Sequence, residues 1–207
     1  MADVLLSATA AARLCAAALT QVGVPAGEAD CVADALVEAS LRGADSHGLA
    51  LLPTYVERTR SGQIRPGRTW VVRQETAAAA LCDGQHGMGP VLACAAADLA
   101  AAKASRTGVA AVVLHDGNYV GALGYYVRRV AERGLLALAA ANATPRVAPH
   151  GGRAGLHGTN PIAWAAPRAG GEPLVFDAAT AFAAARVSRA QDEGEALPPG
   201  AALDAAG

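Results

Sequence analysis

Hydrophobic positions along the first third of the chain recur at helical spacing. Ser7 is placed to cap a helix running to about Gln21, and Val22-Gly23-Val24-Pro25 ends it. A second helix is predicted from Ala26 to Leu41, with Ala29, Val32, Ala33, Leu36, Val37 and Ser40 on one face. The polar segment Gly43-Ala44-Asp45-Ser46-His47-Gly48 interrupts the pattern. A third helix continues to Arg60 and either starts near Pro53 or bends there. After Pro66-Gly67 the spacing changes. Trp70–Arg73 and Ala78–Cys82 read as strands, and a glycine-rich turn, Gly84–Gly89, leads into a helix over Pro90–Ser105. Val109–Leu114 and Leu135–Ala141 read as buried strands, separated by a helix over Ala122–Arg133 with Leu123, Tyr126, Val127 and Val130 inward. A long loop, Asn142–Asn160, precedes short strands at Ile162–Ala166 and Leu174–Asp177. A helix over Phe182–Glu193 and a Pro/Gly/Ala tail complete the pattern. Strands alternating with helices predict an α/β fold, with an N-terminal helical part over residues 1–75 and an α/β part over 76–207.

Composition narrows this picture. The 207 residues are 53% hydrophobic but only 4% aromatic, so the core must be built by close packing of Ala, Val and Leu. Seventeen basic and eighteen acidic residues give a net charge of −1 without a basic tract, which excludes nucleic acid as the expected partner. No apolar run approaches the roughly 18 residues of a membrane span, and Asp3 with no basic stretch around it predicts no signal peptide. Cys15, Cys31, Cys82 and Cys94 lack metal-ligand spacing and read as buried free thiols in a reducing compartment, which points to the cytoplasm. The only lysine, Lys103, falls inside a helical pattern.

Candidate chemistry is concentrated where elements meet. His47 is a candidate proton donor or substrate ligand, with Asp45 or Ser46 setting its tautomer; the alternative is that Asp45 or Ser46 simply caps the next helix. The Gly84–Gly89 spacing is GxxGxG, which fits a phosphate-facing turn or a tight strand-to-helix connection, and departs from the dinucleotide fingerprint. His115, Asp116, Asn118 and Tyr119 follow a strand, where open α/β sheets bind ligands. Asp177 also follows a strand. It would bond a ribose or an amide, or cap the last helix.

Taken in order, Ala44-Asp45-Ser46-His47-Gly48 with Leu52-Pro53 and Tyr55, Gly84–Gly89, Gly121-Ala122-Leu123-Gly124-Tyr125-Tyr126, Ala148-Pro149-His150-Gly151-Gly152, Gly158-Thr159-Asn160-Pro161-Ile162 and Asp177-Ala178-Ala179-Thr180 resemble the type 2 malate/L-lactate dehydrogenase family, with its ureidoglycolate, sulfolactate and cyclic-imine relatives. The resemblance implies a non-Rossmann, mixed-sheet cofactor domain beside a helical domain, a homodimer or partner chain, and NAD or NADP as cofactor. It implies reduction of 2-oxo acids or related imines. It maps substrate contacts onto Ser46, His47 and Tyr55, with Asn118 in the adjoining loop. It maps nicotinamide-side contacts onto Thr144, Thr159, Asn160, Asp177 and Thr180.

Three departures qualify what the resemblance implies. The family's usual acid/base histidine corresponds to Tyr119, and its carboxylate-binding arginine corresponds to Leu51. The family's later lysine–glycine segment has no counterpart here, so the chain reads as shorter than the family. An unperturbed Tyr titrates near pH ~10 against ~6.5 for His, and loss of a general acid costs roughly 10²–10⁴ in rate. The expectation is therefore a divergent NAD(P)-dependent oxidoreductase with His47 or Tyr119 as proton donor. The alternatives are a non-redox proton-transfer enzyme in the same pocket and a non-catalytic partner subunit.

Overall fold

The computed structural model describes residues 5–182, 187, 190 and 194–202. Three helices open the chain: α1 (Ala8–Thr20), α2 (Ala26–Leu41) and α3 (Leu52–Arg60). Ser7 caps α1 by accepting a bond from the Ala10 amide at 3.2 Å. The helix predicted around Pro53 starts beside it, with the ring in the first turn, where its missing N–H costs nothing. The apolar face of α2 packs as its spacing predicts. Ala29, Val32 and Leu36 join Leu19, Val24, Tyr55, Ile64 and Met88 in one core.

The remaining elements are β1 (Val71–Glu75), β2 (Ala79–Asp83), α4 (Gly89–Thr107), β3 (Ala111–His115), α5 (Gly124–Ala131), β4 (Ala137–Ala140), β5 (Ile162–Ala166) and β6 (Leu174–Ala178). They make a mixed α/β structure with two three-stranded sheets. In the first, β1 runs antiparallel to β2 and β2 runs parallel to β3, with α4 as the crossover between the parallel pair. Gly108 ends α4 in the left-handed conformation, at φ 84°, which a side chain would oppose. In the second sheet β4, β5 and β6 are all antiparallel. Its inner face, Ala163 and Ala165, packs with Leu123, Tyr126 and Val127 around α5, and Cys94 of α4 completes this second core.

One expectation needs correction. The strands read as buried, Val109–Leu114 and Leu135–Ala141, are covered on one face only. Val113 is 57% exposed and Leu138 71% exposed. Alternation explains the difference: alanines point toward α5, while Leu138 lies opposite Trp164, which in turn lies opposite Phe176, on the outer face. An unbroken apolar run cannot distinguish two covered faces from one. The helix predicted over Phe182–Glu193 falls largely on residues outside those described. Among the described residues no helix is long and apolar enough to cross a membrane.

Candidate active site

The site begins at the break between α2 and α3. Asp45–His47 and Leu49–Leu51 form two short 3₁₀ turns, and no side chain of this segment caps either of them or α3. The capping alternative for Asp45 and Ser46 is therefore not realised. Instead Ser46 Oγ lies 2.9 Å from His47 Nδ1, which leaves Nε2 as the ring's other polar atom. The turn is tied back to α2 by the Leu49 amide, which donates to Ser40 Oγ at 3.0 Å. Gly48 packs so tightly there that a Cβ would overlap Ser40.

Tyr119 comes to this turn from the far side of the chain, on the segment that follows β3. The rings of His47 and Tyr119 have centroids 6.2 Å apart, and Tyr55 of α3 stands 6.4 Å from Tyr119. The backbone that carries Tyr119 is held at three consecutive residues. The Asn118 amide donates to the carbonyls of His86 (2.8 Å), Gly87 (3.2 Å) and Gln63 (3.3 Å). The Tyr55 hydroxyl donates to the Tyr119 carbonyl at 3.1 Å, and the Tyr126 hydroxyl donates to the Val120 carbonyl. Gly89 abuts the same segment, and a Cβ there would lie 2.1 Å from the Tyr119 carbonyl oxygen. The glycine-rich turn thus has a structural use: it lets the start of α4 approach the loop that presents Tyr119.

Burial lowers the pKa of His47, and the charge of Asp177 partly restores it. Burial raises Tyr119 above the ordinary phenol value; Arg58 pulls it back and Asp177 adds to the rise. Burial raises Tyr55 well above the ordinary value too. Both phenols are therefore protonated at neutral pH. Arg58 stands three residues after Tyr55 on α3, a spacing that brings the two to one side of the helix, and its charge acts on both phenols.

The five residues expected on the cofactor side have mixed positions. Asp177 Oδ2 accepts from the Gly124 amide at 2.7 Å, so it caps α5; the last helix, which it was also placed to cap, lies largely outside the described residues. The Thr180 hydroxyl reaches the carbonyls of Thr159 (3.1 Å) and Asn160 (2.9 Å), and Asn160 Oδ1 accepts from the Ala143 amide at 3.0 Å. These bonds fasten the end of β6 to both ends of the long loop, where Thr144 lies exposed. The structure thus brings Ser46, His47, Tyr55 and Tyr119 together, with Asp177 near enough to act on two of them. The Asn118 side-chain NH2 is engaged by backbone carbonyls. Leu51, at the arginine position of the resemblance, packs against the helical core. His115 and Asp116 pair with each other at 2.8 Å beside Asp83, whose carboxylate Arg73 holds at 2.6 Å. That charged cluster marks the carboxyl ends of β2 and β3.

Residues 6–207 match the family model described as malate/L-lactate dehydrogenase. The chain belongs to that family. It is 39% identical over 189 residues to an L-sulfolactate dehydrogenase of Methanothermobacter thermautotrophicus, covering 91% of this chain and 55% of that protein. It is 40% identical over 177 residues to a Δ1-pyrroline-2-carboxylate/Δ1-piperideine-2-carboxylate reductase of Pseudomonas syringae pv. tomato, covering 85% and 52%. Among solved structures, the sulfolactate dehydrogenase of Methanocaldococcus jannaschii superposes with a TM-score of 0.91 at 32% identity, covering 99% of this chain and 59% of that one. The malate dehydrogenase of Pyrococcus horikoshii gives 0.87 at 36% identity, covering 89% and 53%. The chain spans about half the length of the curated relatives it matches.

Proposed function

We propose that this chain carries the proton-transfer half of an NAD(P)-dependent oxidoreductase that reduces a small carbonyl or imine substrate. The observation that supports it most is the meeting of His47 and Tyr119, from distant parts of the sequence, with rings 6.2 Å apart on a braced backbone. Reduction at a carbonyl or imine carbon needs a proton for the oxygen or nitrogen. His47, with Nδ1 engaged by Ser46, presents Nε2 for that exchange. Its lowered pKa leaves it neutral at neutral pH, suited to taking a proton in the oxidative direction and giving one under mildly acidic conditions. Tyr119 stays protonated and donates a hydrogen bond to the reacting heteroatom. Arg58 supplies a cation for an anionic substrate where Leu51 cannot.

Thr159, Asn160 and Thr180 bring hydroxyl and amide groups to the end of β6, and these neutral groups, with the exposed Thr144, fit the nicotinamide end of a dinucleotide. When bound there, the nicotinamide supplies the hydride. The same reading takes residues 1–75 as the part presenting Ser46, His47 and Tyr55, and residues 76–207 as the cofactor side. It places the protein in the cytoplasm, as a homodimer or beside a partner chain. The test is steady-state oxidation of NADH and NADPH against a panel of 2-oxo acids and cyclic imines. The expected result is nicotinamide-dependent turnover that His47→Asn lowers by roughly 10²–10⁴, with Tyr119→Phe also impaired. Turnover that persists without nicotinamide, or that neither substitution changes, would overturn the reading.

A further inference from the structure

Cys31 and Cys94 are 63 positions apart in the sequence, yet their Sγ atoms lie 3.6 Å from each other where α2 crosses α4. Both are free thiols. Their surroundings differ in a way that suits sequential chemistry. Cys31 is half-buried, whereas Cys94 is buried in the second core. The neighbouring Cys94 thiol and then the Arg129 charge lower the Cys31 pKa; the same neighbour and burial raise that of Cys94. Arg129 is held at this spot by Asp98, at 2.9 and 3.0 Å. The other two cysteines, Cys15 and Cys82, are buried, and burial raises both.

We propose that Cys31 and Cys94 form an oxidation site at which a hydroperoxide converts the dithiol into a disulfide joining α2 to α4. The Cys31 thiolate attacks the terminal peroxide oxygen; the O–O bond breaks, and the alkoxide or hydroxide leaves with a proton as alcohol or water. Cys31 is then a sulfenic acid. Cys94 loses its proton and attacks that sulfur, the S–O bond breaks, and the oxygen departs as water. The two thiols give up two electrons and the peroxide accepts both. A disulfide needs an S–S separation of about 2.0 Å, and side-chain rotation from van der Waals contact supplies the approach.

The site's location gives the bond a consequence. α2 anchors the His47 turn through Ser40, and α4 begins at Gly89 against the Tyr119 carbonyl. The bond therefore ties the helix behind one member of the His47–Tyr119 pair to the helix behind the other.

The experiment treats the folded chain with hydrogen peroxide and maps the cysteines by mass spectrometry without reduction. The expected product has lost two hydrogens, contains a Cys31–Cys94 cross-linked peptide, and melts roughly 5–15 °C higher than the reduced chain. Cys94→Ser should instead leave a Cys31 sulfenic acid that dimedone traps. A Cys31–Cys94 link absent from the folded, peroxide-treated wild type would overturn the proposal, as would pairing to Cys15 or Cys82, or a link formed only after denaturation. The wild-type map decides the matter even if a variant folds poorly.

Discussion

Asn118 offers the sharpest separation between holding the site and touching a ligand. Its side-chain amide has two hydrogens for three carbonyls, those of His86, Gly87 and Gln63, at 2.8, 3.2 and 3.3 Å. At most two full hydrogen bonds are formed, each with a net contribution of about 0.5–1.5 kcal/mol. Asn118→Ala should therefore destabilise the chain by about 1–3 kcal/mol. For a chain near 200 residues, each kcal/mol moves the midpoint by about 2–4 °C, so the melting temperature should drop by about 2–12 °C. Asn118→Asp keeps the shape but turns a donor into a negatively charged acceptor facing carbonyl oxygens, so it should cost more than Ala. Thermal denaturation followed by circular dichroism, with no ligand present, reads both. If both variants melt within about 1 °C of wild type, the amide does not support the Tyr119 loop, and the residue's use lies in ligand contact instead.

Gly89→Ala places a methyl group 2.1 Å from the Tyr119 carbonyl oxygen, where backbone must move; a loss of about 1–3 kcal/mol and a changed Tyr119 ring environment by NMR are expected, and an unperturbed Tyr119 spectrum would count against the close approach. His47 has a folded-state pKa below its unfolded value near ~6.5, so the unfolded chain binds the extra proton first. The stability this gives is complete above that pH and is lost as pH falls through the folded pKa; His47→Gln should flatten that part of the stability-against-pH curve in denaturant titrations. Asp177→Asn removes an anion that raises the His47 pKa, so the imidazole titration in NMR should move further down, together with a loss of about 0.5–2 kcal/mol from the weakened α5 cap. An unmoved His47 titration would separate Asp177 from the site.

The helices were legible because their signals are local. Ser7, the face of α2, and the inward set on α5 all follow from spacing and capping chemistry that a short window contains. Sheet coverage was not legible, because whether Leu138 or Val113 meets a neighbour depends on what lies across the outer face. The site was legible in its parts. Ser46, His47, Tyr55 and Tyr119 stood out by type and order, but the roles of Asn118 and Asp177 were set by tertiary partners: carbonyls 31 to 55 positions away for one, and the first turn of α5 for the other. Arg58 was hidden for the same reason. Its charge acts on Tyr119, 61 positions later, only once the chain has folded. The Cys31–Cys94 approach is likewise a property of a helix crossing, with no trace in the local spacing of either cysteine.

Whether the end of β6 and the long loop receive a nicotinamide is measured directly by isothermal titration of the folded chain with NADH and with NADPH. The prediction is saturable binding of at least one of them, weakened when Thr180→Val removes the hydroxyl that fastens Thr159 and Asn160. A chain that is folded and binds neither nucleotide at millimolar concentration would contradict it.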